Sequence, residues 1–353
     1  MNNIDTPRTS VLFRELLVEQ SLVISYPSHL YNTYEPGPEY IIQPVLRIPE
    51  STITITVRSE TAHCRISQSK SPTRDKLRAL IFSPRQISPY SLGSSFFYDA
   101  RNIYNNNIAH LIQHHAAVLG FIREQLGLGS NAVTIILEKD PPALACHVFK
   151  LLGYDIISTN ASVTGTRISV DADDSNFFHL LPSCGSLELN TWVVDTPKSI
   201  FISRRKTRRL KNEDELIEQL ASFGFKTLYF EDLSIIEQWS AVRSADEIVA
   251  IHGAALGSLA FKACGGQLDF HLVELFGSGF IVNPFRKYCA VLSPDSTWIG
   301  CRGRLEPSII RDIDIPGREK SHAFDSFEVT PEVVKSAIKY RMSKTASFTI
   351  PSL

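Results

Sequence analysis

The sequence predicts an α/β protein of two domains, and three observations carry that expectation. The chain has 353 residues, more than a single hydrophobic core ordinarily organises. Short apolar runs alternate with helix-spaced runs from residue 199 to residue 276. The order of that alternation, strand then helix then strand, builds a parallel sheet wound with helices. Hydrophobic residues make up 43% and charged residues 21%, an ordinary balance for a globular chain. A formal net charge of −1 argues against a globally basic nucleic-acid binder, so no nucleic-acid partner is expected.

Residues 1–45 are rich in Pro, Tyr and Ser and read as an irregular arm. Within them, residues 1–20 have mixed charge and no long apolar run, so neither a secretory leader nor a membrane anchor is expected there, and nowhere is an apolar run long enough to span a bilayer. Residues 46–190 form the first expected domain. There Ile53, Ile55 and Val57 alternate with Thr52, Thr54 and Thr56, the period of a half-buried strand. A second strand is expected over 77–82. Ile108, Leu111, Ile112, Leu119, Ile122 and Leu126 share helical spacing over 107–126, and Gly127 and Gly129 stop that helix. A buried strand follows over 133–137, then Pro141 and Pro142 separate it from a helix over 143–152. The stretch 158–197 has no clear period, contains a polar loop over 171–176, and is where the passage between domains is placed.

The second domain is expected over 191–330, with a closing helix and tail over 331–353. Its strands are expected over 199–203, 226–230, 247–251 and 268–276, and its helices over 213–223, 235–244 and 254–263. Asn212 is placed to cap the first helix, with Glu215 set for a capping box. In such sheets ligands bind at the carboxyl ends of the strands, so the residues just after each strand matter most. The six cysteines, Cys64, Cys146, Cys184, Cys264, Cys289 and Cys301, form no C-x-x-C pair and are read as reduced thiols.

After the first of these strands comes Ser203-Arg204-Arg205-Lys206-Thr207-Arg208-Arg209, five cations in seven residues. It is either a solvated basic loop or nuclear-localisation-like run, or a phosphate-binding cluster, for which guanidinium forks are suited. After the third strand comes Ile251-His252-Gly253-Ala254-Ala255. Small residues allow close backbone approach, and the helix that follows aims free N–H groups at an anion; a tight turn that needs glycine for packing is the plainer reading. At the end of the fourth strand Glu274 lies between Val273 and Leu275. A buried carboxylate needs a partner, which could be a ribose hydroxyl or a structural ion pair with Arg204 or Arg208. The first two motifs together describe a diphosphate pocket.

These residues bring a resemblance. Arg204-x3-Arg208-x3-Asn212-Glu213, then Glu231, Gln238, His252-Gly253-Ala254 and Val273-Glu274-Leu275 resemble the pattern of glycosyltransferase family 61. That family includes plant xylan arabinosyl- and xylosyltransferases, animal N-acetylglucosaminyltransferases and bacterial polysaccharide enzymes. The resemblance implies a GT-B fold, two Rossmann-like lobes with a cleft between them. It implies an inverting transfer from a nucleotide-sugar donor, UDP-linked, bound by Arg204, Arg208, Asn212, Glu231, His252, Gly253, Ala254, Ala255 and Glu274. It also implies an acceptor that is a glycan or lipid-linked glycan. Upstream, Asn107-Ile108-Ala109-His110 resembles the family's N-x-x-H helix start, after which a carboxylate stands four residues on; here that position is His114, beside His115. His114 is therefore the expected catalytic base, with an unperturbed pKa of about 6.5 suited to neutral pH, and His110, one turn away, its support.

His110 and His114 have the i, i+4 spacing of a zinc site, but Leu111 stands where a zinc hydrolase has Glu. His115 falls on the apolar face and reads as packed. Asp171-Ala172-Asp173 after a strand is the minority, metal-dependent reading of a GT-A-like transferase, against an ordinary acidic loop. Gly277-Ser278-Gly279 lacks the third glycine of a dinucleotide fingerprint. The remaining alternative is a non-catalytic nucleotide-sugar binder or scaffold, suggested by His114 in place of the carboxylate. No cofactor is expected to be required and no metal ligand is assigned, with divalent ions at most stimulatory. The expected setting is the cytoplasm, in surface-polysaccharide synthesis, with peripheral membrane association left open.

Overall fold

The computed structural model describes residues 8–18, 21–24, 46–64, 89–101, 105–172, 176–189, 192–193, 196–265, 269–280, 282–293, 295–304, 306–312, 315, 318 and 321–342. The strand expected over 77–82 lies outside them. The fold is mixed α/β with parallel sheets. The chain divides into two compact units, Met1–Phe13 with Ser51–Asn190, and Arg14–Glu50 with Thr191–Leu353.

The first unit carries strands β1 (Arg8–Phe13), β5 (Ser51–Ala62), β6 (Tyr90–Asp99), β7 (Val133–Leu137), β8 (Ile156–Ser158) and β9 (Val163–Asp171) in one sheet of order β1-β5-β9-β6-β7-β8. β1, β5 and β9 pair antiparallel, whereas β9, β6, β7 and β8 pair parallel. The Thr/Ile alternation of β5 holds: Ile53 and Ile55 are fully buried. Helix α1 (Ile108–Leu111), a π-helical turn (Ile112–Ala116) and helix α2 (Ala117–Leu126) make up the expected long helix. Asn107 caps it, its Oδ1 accepting the Ala109 N–H at 2.9 Å, and Gly127 ends it in the left-handed conformation, φ 67°. Helix α3 (Ala143–Leu151) and an eleven-residue 3-10 helix (Asn176–Ser186) complete the described part.

The second unit holds β10 (Ser199–Ser203), β11 (Lys226–Tyr229), β12 (Glu247–Ile251), β13 (His271–Phe276), β14 (Thr297–Arg302) and β3 (Ser21–Ile24). They form one sheet of order β11-β10-β12-β13-β14-β3, parallel at every pairing. Strands buried on both faces read as continuous apolar runs, as Ile248-Val249-Ala250-Ile251 does. One face, with Phe201, Val249, Val273, Leu275 and Ile299, packs on helices α4 (Glu213–Ser222) and α8 (Pro331–Met342). Side chains alternate along a strand, so Glu274 stands on the opposite face from Val273 and Leu275. Helices α5 (Ile235–Ser244), α6 (Pro284–Leu292) and α7 (Pro307–Asp312) and a 3-10 helix (Ala254–Cys264) complete this unit.

Three expectations are corrected. Residues 1–45 do not read as an irregular arm where they are described. β1 joins the first unit's sheet, β3 joins the second's, and β2 (Leu16–Val18) pairs antiparallel with β4 (Leu46–Ile48). β1 alternates only between exposed and half-buried, so its pattern becomes legible beside β5, where Ser10 Oγ meets Thr54 Oγ1 at 3.0 Å. Asn212 stands at the N-cap position of α4, as expected, but its side chain makes no capping bond. Its Nδ2 donates to the Val329 carbonyl at 2.9 Å, its Oδ1 accepts the Val329 N–H at 3.3 Å, and only a 3.3 Å contact reaches Glu215. The capping box is at α5, where Ser234 Oγ accepts the Glu237 N–H and Glu237 accepts the Ser234 N–H. The helix expected over 254–263 is 3-10, not α. Leu256 through Lys262 are all buried, so no exposed face reports the period.

All six cysteines are free thiols. Among the described residues no helix is long and apolar enough to cross a membrane.

Candidate active site

The carboxyl edge of the second unit's sheet brings together Arg204, Arg208, His252, Gly253 and Glu274. Arg204 follows β10 and His252 follows β12, its immediate neighbour in the sheet. One guanidinium N–H of Arg204 donates to the His252 carbonyl at 3.2 Å, and one of Arg208 donates to the same oxygen at 3.1 Å. Two like charges thus share one neutral acceptor. Among the described residues neither has a carboxylate within 4 Å, and Arg204 makes no further hydrogen bond, so most of its five N–H donors stay available. Burial pushes the pKa of both below the usual guanidinium value. For Arg208 the push is to about 10, with the neighbouring Arg204 charge adding to burial. Both stay cationic at neutral pH, and the burial that disfavours their charge is partly offset by the Glu231 charge at Arg204 and the Glu274 charge at Arg208.

Arg208 is the one non-glycine residue with positive φ among the described residues, at 59°. That conformation costs an L-residue about 1–2 kcal/mol, and an observed outlier of this kind commonly marks a functional position. A ladder to a distant segment holds it. The Arg208 N–H donates to Phe324 O at 3.1 Å, Phe327 N–H to Arg209 O at 2.9 Å, and Lys211 N–H to Phe327 O at 2.7 Å. The Arg208 Nε donates to the Ala323 carbonyl at 2.6 Å, and its guanidinium lies 5.2 Å from the Phe280 ring and 5.1 Å from that of Phe324.

The cationic run therefore divides. Arg205, exposed, lies over the Tyr229 ring at 3.8 Å and forks onto Asp232 through bonds of 2.6–3.2 Å. Glu231 accepts the Arg205 backbone N–H at 3.1 Å, and Asn212 is engaged by Val329. Gly253 is a close-approach glycine. Its φ of 168° is ordinary extended backbone, but an added Cβ would lie 2.5 Å from the Arg204 guanidinium. Beyond it, the first closing bond of the 3-10 helix runs from Leu256 N–H to Gly253 O at 3.1 Å. The amides of Ala254 and Ala255 so have no acceptor within the helix.

Glu274 is fully buried, and its partners are neither arginine. His252 Nδ1 meets Oε1 at 2.6 Å and Trp298 Nε1 donates to Oε2 at 2.7 Å. A carboxylate on Nδ1 fixes ring orientation and leaves Nε2 as the ring nitrogen of His252 not engaged by Glu274. Phe276 stacks on that ring at 5.1 Å, with Phe285 at 5.6 Å and Phe280 at 6.0 Å. Sequence reading missed Trp298 and Arg302. Arg302 ends β14 opposite Phe276 and is 4% exposed, its pKa pushed down to about 10 by burial. An arginine directly after the apolar run Trp298-Ile299-Gly300-Cys301 is the signal that could have found it.

In the first unit the two expected histidines stack, rings 5.5 Å apart and 20° from parallel. His114 is 4% exposed, with Phe177 edge-on at 4.5 Å, and His110 is half-buried. Burial first, then the neighbouring His110 and His115, push the His114 pKa to about 3, far from the 6.5 assumed for an ordinary imidazole. The π turn holds His114 and His115, and such turns recur at functional sites. His115 is fully buried, its Nδ1 3.2 Å from the Tyr98 hydroxyl, as expected of a packed histidine. Asp171 ends β9 and is exposed, whereas Asp173 lies outside the described residues.

A family model described as Glycosyltransferase 61 matches residues 48–265, more than half of the chain. The chain belongs to the glycosyltransferase 61 family. Membership places it among the glycosyltransferases. The matched span of this family-61 chain contains Arg204, Arg208, His252 and Gly253, whereas Glu274, Trp298, Arg302 and the segment that supports Arg208 lie beyond it. A 66-residue stretch is 39% identical to a beta-1,2-xylosyltransferase of Oryza sativa subsp. japonica. That stretch is 18% of this chain and 14% of the rice protein, so the likeness spans about one seventh of that relative.

Proposed function

We propose that this family-61 chain moves a sugar, with inversion, from a nucleotide-sugar donor to a glycan or lipid-linked glycan acceptor. One observation carries the reading: two half-buried guanidinium groups converge on the His252 carbonyl at the carboxyl edge of an all-parallel sheet. As the glycosidic C–O bond breaks, negative charge grows on the departing diphosphate. Arg204, Arg208 and the amides of Ala254 and Ala255 neutralise it where water is partly excluded. Glu274 and Trp298 act through His252, holding its Nε2 toward the same anion. The proposed scaffold is of GT-B type, with the second unit as the donor lobe. The proposed donor is UDP-linked, the setting cytoplasmic, the product a surface polysaccharide, and the diphosphate is served without an obligatory metal.

The test is a nucleotide-sugar screen by thermal shift with product analysis. The rice relative is a xylosyltransferase by name, which puts UDP-xylose first. The matching donor at a hundred times its Kd stabilises the fold by about 2.7 kcal/mol and is slowly hydrolysed, with or without EDTA. A screen in which no nucleotide sugar shifts the melting temperature defeats the reading. Activity abolished by EDTA, restored by manganese and lost in Asp171→Asn and Asp173→Asn would favour the metal-dependent alternative.

The acceptor hydroxyl must lose a proton as it attacks. We place that step in the His110–His114 pair, with the roles suggested by the sequence exchanged. A base with a pKa of about 3 accepts a proton poorly at neutral pH, and His114 is buried. His110 is the half-buried member, and His114 stacks on it. His110→Ala is expected to lower turnover about a hundred-fold with UDP affinity retained, and His114→Ala to lower it less. The opposite order would return the base to His114. Turnover unchanged in both variants would take proton removal away from this pair, whereas sugar binding without transfer in the wild type would favour the non-catalytic binder suggested by His114 in place of the carboxylate.

A further inference from the structure

We propose that His322 is a positioning residue for Arg208, clamping in place the turn that supports this guanidinium. This rests on the reading of Arg208 as a diphosphate contact. Turn 321–324 touches Arg208 three times within two residues. Ala323 O accepts from its Nε at 2.6 Å, Phe324 O accepts its backbone N–H at 3.1 Å, and the Phe324 ring faces its guanidinium. The turn itself is held by the residue just before these two. His322 Nδ1 meets Asp325 Oδ2 at 2.7 Å, and His322 Nε2 meets Asp312 Oδ2, at the end of α7, at 3.1 Å. Arg318 braces Asp312 from behind at 3.0 Å. On the other side the turn seats on Gly279, where an added Cβ would lie 2.5 Å from the His322 Cβ. The next residue, Phe280, is the second ring facing Arg208.

Both ring nitrogens of His322 face carboxylates, so the clamp is complete only when both carry hydrogen. Asp325 from its own segment, Asp312 from α7 and Arg318 behind Asp312 are the charged groups around it among the described residues. The hydrogen bond to Asp325, joined by that to Asp312, outweighs partial desolvation and raises the pKa of the imidazole. The sign follows. The clamp is closed below the ordinary pKa of about 6.5 and opens as pH rises through the raised value. Arg208 then loses the support that keeps it in its left-handed conformation, and diphosphate affinity falls.

The experiment measures UDP affinity by calorimetry from pH 5.5 to 9 for the wild type, His322→Gln, Asp325→Asn and Arg208→Ala. Hydrogen exchange at the Arg208 amide is followed in the same proteins without ligand. UDP titrates too, but the ratio of each variant's affinity to that of the wild type cancels this. His322→Gln is expected to bind several-fold more weakly at pH 6 and to converge on the wild type by pH 9. The exposed Asp325→Asn keeps the fold and moves the wild-type midpoint to lower pH. The Arg208 amide loses protection in His322→Gln while amides of the β10–β12 pairing keep theirs. Wild-type affinity, pH profile and Arg208 protection in both His322→Gln and Asp325→Asn would overturn the clamp. Arg208→Ala separates the two claims. If it binds UDP as the wild type does, the diphosphate reading fails, whereas the exchange measurement still decides whether His322 holds Arg208.

Discussion

Replacing both Arg204 and Arg208 by alanine is expected to lower UDP affinity by about two to four powers of ten. Each contributes charge-assisted hydrogen bonds worth about 1.5–3 kcal/mol, and 1.4 kcal/mol is about tenfold in Kd. Each single variant should lose roughly ten- to a hundred-fold. The two effects should not add simply, because the guanidinium groups share the His252 carbonyl and repel one another. Removing Arg204 relieves that repulsion and raises the pKa of Arg208. Lysine should rescue either site poorly. It keeps the charge but not the fork that bonds the His252 carbonyl and a phosphate oxygen at once. Calorimetry with UDP checks this, and a double variant that binds UDP like the wild type would remove the diphosphate from this edge of the sheet.

Acid is expected to destabilise the protein through His114 by an amount on the order of 5 kcal/mol when fully expressed. The folded-state pKa is pushed down to about 3, chiefly by burial, while the unfolded imidazole titrates near its ordinary value of about 6.5. Above that value the ring is neutral in both states and contributes nothing to the pH dependence. Below it the unfolded chain binds a proton that the folded chain refuses, so stability falls steadily as pH drops from about 6.5 toward 3. Each unit between the two pKa values is worth about 1.4 kcal/mol. Denaturant melts of the wild type and His114→Phe isolate the effect, since carboxylate titration is common to both and phenylalanine keeps the ring packed against Phe177. Between pH 7 and pH 4.5 the wild type should lose about 2–3 kcal/mol more than the variant. Parallel losses would mean that His114 protonates freely in the folded state.

Much of the second unit was legible because its elements are specified locally. β10 and β12 have the bounds that periodicity assigns, and α5 likewise. These are short buried runs separated by turn residues, and a parallel sheet needs no information beyond that alternation to form its layers. The positions of Arg204, His252 and Gly253 followed, since residues after parallel strands meet at one edge. The β1 strand was not legible, because a half-exposed strand of Arg, Thr and Ser is defined by its partner more than by its own pattern.

The sequence by itself determined the α/β class, the strand ends that form the carboxyl edge of the sheet, and the residue types available there. Tertiary structure alone decided which of five neighbouring cations turn to the His252 carbonyl at that edge. Arg204 and Arg208 turn to the His252 carbonyl and Arg205 to Asp232, because the acceptors that sort them lie dozens of residues away. It also decided that Glu274 answers to His252 and Trp298, and that His114 is too buried to hold a proton at neutral pH. Hydrogen bonds and desolvation depend on what the folded chain brings near a group. Local sequence specifies backbone periodicity, but it does not name a partner a hundred residues distant, as Val329 is from Asn212 and Ala323 from Arg208.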